Sequence, residues 1–129
     1  MPLIRIDAVA GRAQEEISTL LEAAHRAIVS ALGVPQSDRY QIYQEHPAGH
    51  LVIEDTGLGI KRRSNLLVIS VTTRPRSQEK KTELYQELVR ELQSTCGIAP
   101  SDIIVSIVSN TPADWSFGNG EAQYLNGKL

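Results

Sequence analysis

The sequence is poor in the residue types that would assign it a chemistry on sight. Its one cysteine, Cys96, allows no internal disulfide and fits a reducing, cytoplasmic setting. Cys96 closes a helical pattern and reads as a core filler. His25, His46 and His50 are scattered and share no ligand spacing with Cys96 or the carboxylates, so no metal centre and no cofactor are expected. All three read as structural or surface residues. No apolar run is long enough to cross a bilayer, and no charged-then-apolar leader is present. A net charge of −2 gives no basic surface for nucleic acid or an anionic membrane. Aromatic residues are only 5% of the chain, and the single tryptophan and single phenylalanine both fall in its tail. What remains is 129 residues, 41% apolar and 22% charged, which suits one compact domain over 1–129 with a buried core.

The chain then reads as two copies of one pattern. Leu3 to Val9 predicts a strand. Glu15 and Glu16 suit the positive end of a helix, whose apolar stripe is Ile17, Leu20, Leu21, Ala24, Ile28, Ala31 and Leu32. Gly33 ends it, and after the turn at Val34–Asp38 a second strand covers Tyr40–Tyr43. The series recurs as a strand at Leu67–Val71, a helix from Ser77 with Leu84, Leu88 and Leu92 inward, a stop at Gly97, and a strand at Ile103–Val108. A shift of 64 positions lays Gly33 on Gly97, Ser37-Asp38 on Ser101-Asp102, Gln14-Glu15 on Gln78-Glu79, Leu20 on Leu84 and Arg26 on Arg90. Such unbroken register predicts two β-α-β units, roughly 2–64 and 66–129, each with parallel strands. In the connection, Gly57 and Gly59 lack the following helix that a phosphate loop needs, so a turn or short hairpin is expected. Lys61-Arg62-Arg63 reads as a solvated loop. The tail from Asp114 to Gly127 is turn-rich with spaced bulky residues, and should fold over an apolar surface of its own subunit or a neighbour.

Matched positions that differ between the halves are candidates for function, because the fold needs only what they share. Pro2 matches Leu66, and Arg74 matches Ala10. Arg76 matches Arg12 and Asp38 matches Asp102, so turn capping would also explain those two. Pro2 stands directly behind Met1. Once that methionine is removed its ring nitrogen is a secondary amine, a compact acid/base with a reference pKa of roughly 7.7–8.0. The bland reading is that Pro2 only begins a strand, where its missing N–H costs little. If the halves pack about a pseudo-twofold axis with their first strands antiparallel, Pro2 lies beside Thr73-Arg74-Pro75-Arg76. One pocket then holds an amine and two guanidiniums, which can grip a carboxylate through charge-assisted hydrogen bonds.

These residues resemble the tautomerase superfamily, with its amino-terminal proline and β-α-β building block, and within it the malonate semialdehyde decarboxylase family. The carrying segments are Pro2, Val34-Pro35-Gln36-Ser37-Asp38-Arg39-Tyr40-Gln41, Ile53 to Gly59, Arg74-Pro75-Arg76-Ser77 and Asp114-Trp115-Ser116-Phe117-Gly118. The resemblance implies catalytic roles for Pro2, Asp38, Arg74 and Arg76, and an aromatic and aliphatic wall of Trp115, Phe117, Tyr124 and Leu129. A phenylalanine would be the closer match at Tyr124. It also implies a homotrimer of α/β (α+β) subunits, each a four-stranded mixed sheet with two helices on one face. That fits the chemistry of layers, since the sheet's other face needs cover. The implied activity is cofactor-free decarboxylation of a small 3-oxo acid. Tautomerisation of enol or 2-oxo acids, hydration of unsaturated acids, and a binding protein with a vestigial pocket are the alternatives.

Overall fold

In the computed structural model, which describes residues 1–129, the chain forms β1 (Leu3–Val9), α1 (Gln14–Leu32), β2 (Tyr40–His46), β3 (Leu67–Thr73), α2 (Gln78–Cys96) and β4 (Ile103–Ser109). Single 3₁₀ turns at Pro100–Asp102 and Pro112–Asp114 flank β4. The sheet order is β2-β1-β3-β4. Each half pairs its own strands in parallel, and the halves meet through antiparallel β1 and β3. This is the mixed four-stranded sheet that the resemblance implies, built from the two β-α-β units that the repeat predicts. The two helices are bounded alike. Glu16 accepts from the Ala13 N–H at the start of α1, and Ser77 accepts from the Lys80 N–H at the start of α2. Gly33 and Gly97 end them, each in the left-handed conformation at φ 68°, which a side chain would strain.

The core lies between the helices and one sheet face. Ile4, Ile6 and Ala8 of β1 and Leu67, Ile69 and Val71 of β3 point inward, against Leu20, Ala24 and Ile28 of α1 and Leu84, Leu88 and Leu92 of α2. Burying each large side chain contributes roughly 1.5–3 kcal/mol. The outer face carries Leu3, Arg5, Asp7 and Val9 of β1, all half-buried, with Ile42 of β2 and Val108 of β4 exposed. On it Asp7 takes hydrogen bonds from Arg5 and His46. His25, by contrast, is buried within α1. No helix is long and apolar enough to cross a membrane.

Three expectations shift. The second strand runs on to His46, because Gln44, Glu45 and His46 all find partners on β1. The 51–65 connection forms bends rather than a ladder. Its basic triplet is not simply solvated: Arg62 Nη1 donates to the Ser101 carbonyl at 2.6 Å, and the Arg63 N–H donates to Asp102 Oδ1 at 2.5 Å.

Candidate active site

The β1–β3 register builds the cleft. Leu3 faces Thr72 and Ile4 faces Val71, so one step outward sets Pro2 against Thr73 and the next sets Met1 against Arg74. Around this end lie Gly33, Val34, Pro35 and Asp38 from the α1–β2 turn, Arg74 and Arg76 from the β3–α2 turn, and Pro112, Tyr124 and Leu129 from the tail. The cleft they enclose with Met1 has a volume of about 460 Å³.

Each charged group is held by the fold while keeping part of its bonding capacity free. Arg76 Nε donates to Thr73 Oγ1 at 3.2 Å and its Nη1 to the Leu32 carbonyl at 3.3 Å. That carbonyl belongs to the negative end of α1, a favourable seat for a cation. The Arg74 guanidinium lies 4.6 Å from the centre of the Tyr124 ring. Yet Arg74 Nε, Arg76 Nη2 and Asp38 Oδ1 are all buried and make no hydrogen bond within the protein. Buried donors left open cost about 1–3 kcal/mol each, so two guanidiniums with spare N–H groups in one cleft form a site for an anion.

Met1 is present in the chain described, so the Pro2 nitrogen is an amide and the α-amine belongs to Met1. That amine marks the space one residue outward from Pro2. It donates to the Tyr124 hydroxyl at 3.0 Å and stands 3.9 Å from Asp38 Oδ2. Burial holds its pKa below the ordinary 8.0; Asp38 pulls it upward, and Arg74 and Arg76 push it further down. Burial also lowers Arg76, with the like charge of Arg74 adding to it while Tyr124 and Asp38 oppose.

Pro2, Asp38, Arg74, Arg76, Tyr124 and Leu129 are thus brought to one place, Pro2 buried beneath Met1. Trp115 and Phe117 stand behind the wall rather than in it. Trp115 stacks on Phe117 at 5.3 Å, and Phe117 meets the edge of Tyr124 at 5.6 Å and Tyr40 at 5.5 Å. Trp115 is itself tied to Asn110 Oδ1 through its indole N–H at 2.7 Å.

The family follows from comparison with known proteins. Residues 38–118 match the sequence profile of a family described as tautomerase enzyme, and residues 2–61 match a second profile of the same description. The chain belongs to the tautomerase family. Probable tautomerase YrdN of Bacillus subtilis (strain 168) is 57% identical to this tautomerase over 129 residues, covering 100% of both chains. A crystal structure of malonate semialdehyde decarboxylase, described with decarboxylase and hydratase activities, aligns at TM-score 0.96 and 48% identity over 98% of each chain. FG41 malonate semialdehyde decarboxylase, inhibited by 3-bromopropiolate, aligns at TM-score 0.94 and 38% identity over 98% of this chain and 97% of its own.

Sequence reasoning missed several cleft residues of this tautomerase. Val34, Pro35 and Pro112 line it, and Thr73 fixes Arg76. Thr73 carried a signal: it is a polar residue on the inward side of a strand whose other inward residues are apolar. Pro112 carried none, since a turn proline in the tail reads as a turn and nothing more.

Proposed function

We propose that this tautomerase, with Met1 removed, decarboxylates a small 3-oxo acid of the malonate semialdehyde type. The observation that supports this is the pair of open guanidinium donors, on Arg74 and Arg76, facing the start of the chain. Arg74 and Arg76 bind the carboxylate and hold the breaking C–C bond parallel to the carbonyl π orbital, out of the carbonyl plane, a contribution of orientation. Protonated Pro2 donates to the carbonyl oxygen as the bond breaks. The electron pair moves into an enolate, carbon dioxide leaves, and protonation at carbon gives the aldehyde. Asp38 opposes the lowering of the amine's pKa and so keeps more of it protonated. The apolar wall of Tyr124 and Leu129, braced by Trp115 and Phe117, limits water and favours loss of a neutral product.

The lowered pKa of the Met1 amine, one residue outward from Pro2 in the same cleft, favours a second reading. A neutral Pro2 is a general base, and the same cleft then moves a proton between carbon and oxygen of an enol or 2-oxo acid. Incubating the processed protein in parallel with malonate semialdehyde and phenylenolpyruvate separates the two. Faster release of acetaldehyde and carbon dioxide supports decarboxylation; rapid ketonisation with no carbon dioxide overturns it. We further propose a homotrimer, in which the half-buried outer sheet face with exposed Ile42 and Val108 is covered by neighbouring subunits. Sedimentation equilibrium at three times the chain mass is the expected result, and a monomer would remove the proposal.

A further inference from the structure

His25 is buried, 4% exposed, and no step of the chemistry above uses it. Its Nε2 lies 2.7 Å from the Gln36 carbonyl oxygen. A carbonyl only accepts, so Nε2 carries the hydrogen and donates it. Gln36 belongs to the turn that delivers Asp38, closed by the Asp38 N–H donating to the Pro35 carbonyl at 3.0 Å.

The second half builds the same turn differently. There the Asp102 N–H donates to the Ala99 carbonyl at 2.9 Å, matching the first half. The carbonyl matched to Gln36 is that of Pro100, and it accepts from the Ile103 N–H. In the first half the corresponding Arg39 N–H turns instead to the Ser37 carbonyl, which leaves the Gln36 carbonyl to be satisfied from elsewhere. His25 satisfies it. Position 25 matches Val89, which has nothing to donate. The carboxylates differ in the same sense. Asp102 spends Oδ1 on the Arg63 N–H and leaves Oδ2 open, whereas no hydrogen bond within the protein takes up either carboxylate oxygen of Asp38.

We propose that His25 is a positioning residue, which anchors the turn beneath Asp38 through the Gln36 carbonyl so that the carboxylate is held without using up an oxygen. The proposal rests on the reading that Asp38 acts on the amine at the chain end. In the chain that bears Met1, the groups facing the α-amine are Asp38, Arg74, Arg76 and Tyr124. Among them Asp38 raises its pKa, while Arg74 and Arg76 lower it. A carboxylate that wanders therefore lets the amine titrate at lower pH.

The experiment follows the amine of the processed protein by NMR with ¹⁵N-labelled proline, and kcat and KM on the substrate turned over best. His25→Val, the residue that the second half uses, is expected to move the amine's titration to lower pH. It should also cut kcat by about 10–100-fold, as a misplacement near 1 Å does, with a smaller change in KM. His25→Gln, whose amide nitrogen reaches the place of Nε2, should restore most of both; His25→Asn, too short to reach, should not. If His25→Val does not fold, the Gln and Asn pair carries the same comparison. An unmoved titration in His25→Val, or equal behaviour of Gln and Asn, overturns the proposal. Asp38→Asn tells the two levels apart. If it leaves the amine unmoved, the reading of Asp38 itself has failed; if it moves the amine and His25→Val does not, only the role of His25 has failed.

Discussion

The two ends of the β1–β3 pair are built from matched residues and do different work. At one end, next to Pro2, residues Asp38, Arg74 and Arg76 line a cleft in which three buried polar atoms lack partners. At the other end stand Leu66, Asp102, Ala10 and Arg12. Leu66 is buried, and the Arg12 guanidinium is taken up by the Asn65 carbonyl at 3.3 Å and the Tyr43 hydroxyl at 3.4 Å. Asp102 is 1% exposed and accepts from Arg63. Both ends thus carry an arginine and an aspartate with one buried oxygen unpaired, but only the Pro2 end leaves buried guanidinium nitrogens without a partner. The lesson is that open cationic donors, more than residue type, distinguish the cleft from its structural twin.

The largest expected effect is at the chain end. Pro2→Ala in the processed protein should lower kcat/KM by about 10²–10⁴-fold, the usual worth of a positioned acid or base. Leu66→Ala should leave activity intact and cost about 2–5 kcal/mol in denaturant unfolding, as a core truncation does. Undiminished turnover by Pro2→Ala would remove the amine from the mechanism.

Next come the cations. Arg74→Ala or Arg76→Ala should raise KM by about 10²-fold, corresponding to a lost charge-assisted pair of roughly 1.5–3 kcal/mol. Arg12→Ala should stay within about twofold in steady-state kinetics. Equal losses at Arg12 and Arg76 would erase the distinction between the ends.

The aspartates should separate in kind. Asp38→Asn is expected to shift the pH–rate profile of the amine downward with little change in melting temperature. Asp102→Ala should instead destabilise by about 1–3 kcal/mol, because the Arg63 N–H loses its acceptor, with kcat unchanged. A pH–rate profile of Asp38→Asn identical to that of the parent chain would contradict the first half of this prediction.

The smallest effect is linkage at the amine of the Met1-bearing chain. Its folded pKa lies below the unfolded value near 8.0, so over that window the unfolded chain binds the extra proton. Stability therefore falls slightly as pH drops from 8.0 through the lowered pKa. The amine is only partly buried, so solvent screens the effect. Melting curves of the free and the N-acetylated chain across that range should diverge only by this slope.

Much of this was legible beforehand, for reasons that differ by residue. The helix bounds at Gly33 and Gly97 and the strand at Leu3–Val9 follow from local chemistry repeated at one spacing, so they could be read directly. Pro2 and Arg74 stood out because the matched half lacks them. Arg76 and Asp38 did not, because Arg12 and Asp102 look the same in sequence and differ only in what they touch. The resemblance puts Trp115 and Phe117 in the wall, yet Phe117 meets the edge of Tyr124 and Trp115 stacks on Phe117, one layer behind the cleft. In sequence His25 reads as a structural or surface residue, because its partner is a carbonyl that no sequence pattern marks. The basic triplet reads as solvated in sequence because hydrogen bonds from Arg62 and Arg63 to a turn about 40 residues away are invisible along the chain.

By itself the sequence determined two β-α-β units, their caps, their apolar faces and the single prolyl position behind Met1, because each depends on neighbours three or four residues apart or on the two-residue period of a strand. Tertiary structure alone decided which arginines keep buried donors open to a ligand. That depends on whether a carbonyl, a hydroxyl or an N–H from a distant loop arrives within hydrogen-bonding distance, and such arrivals are fixed only when the halves close on each other.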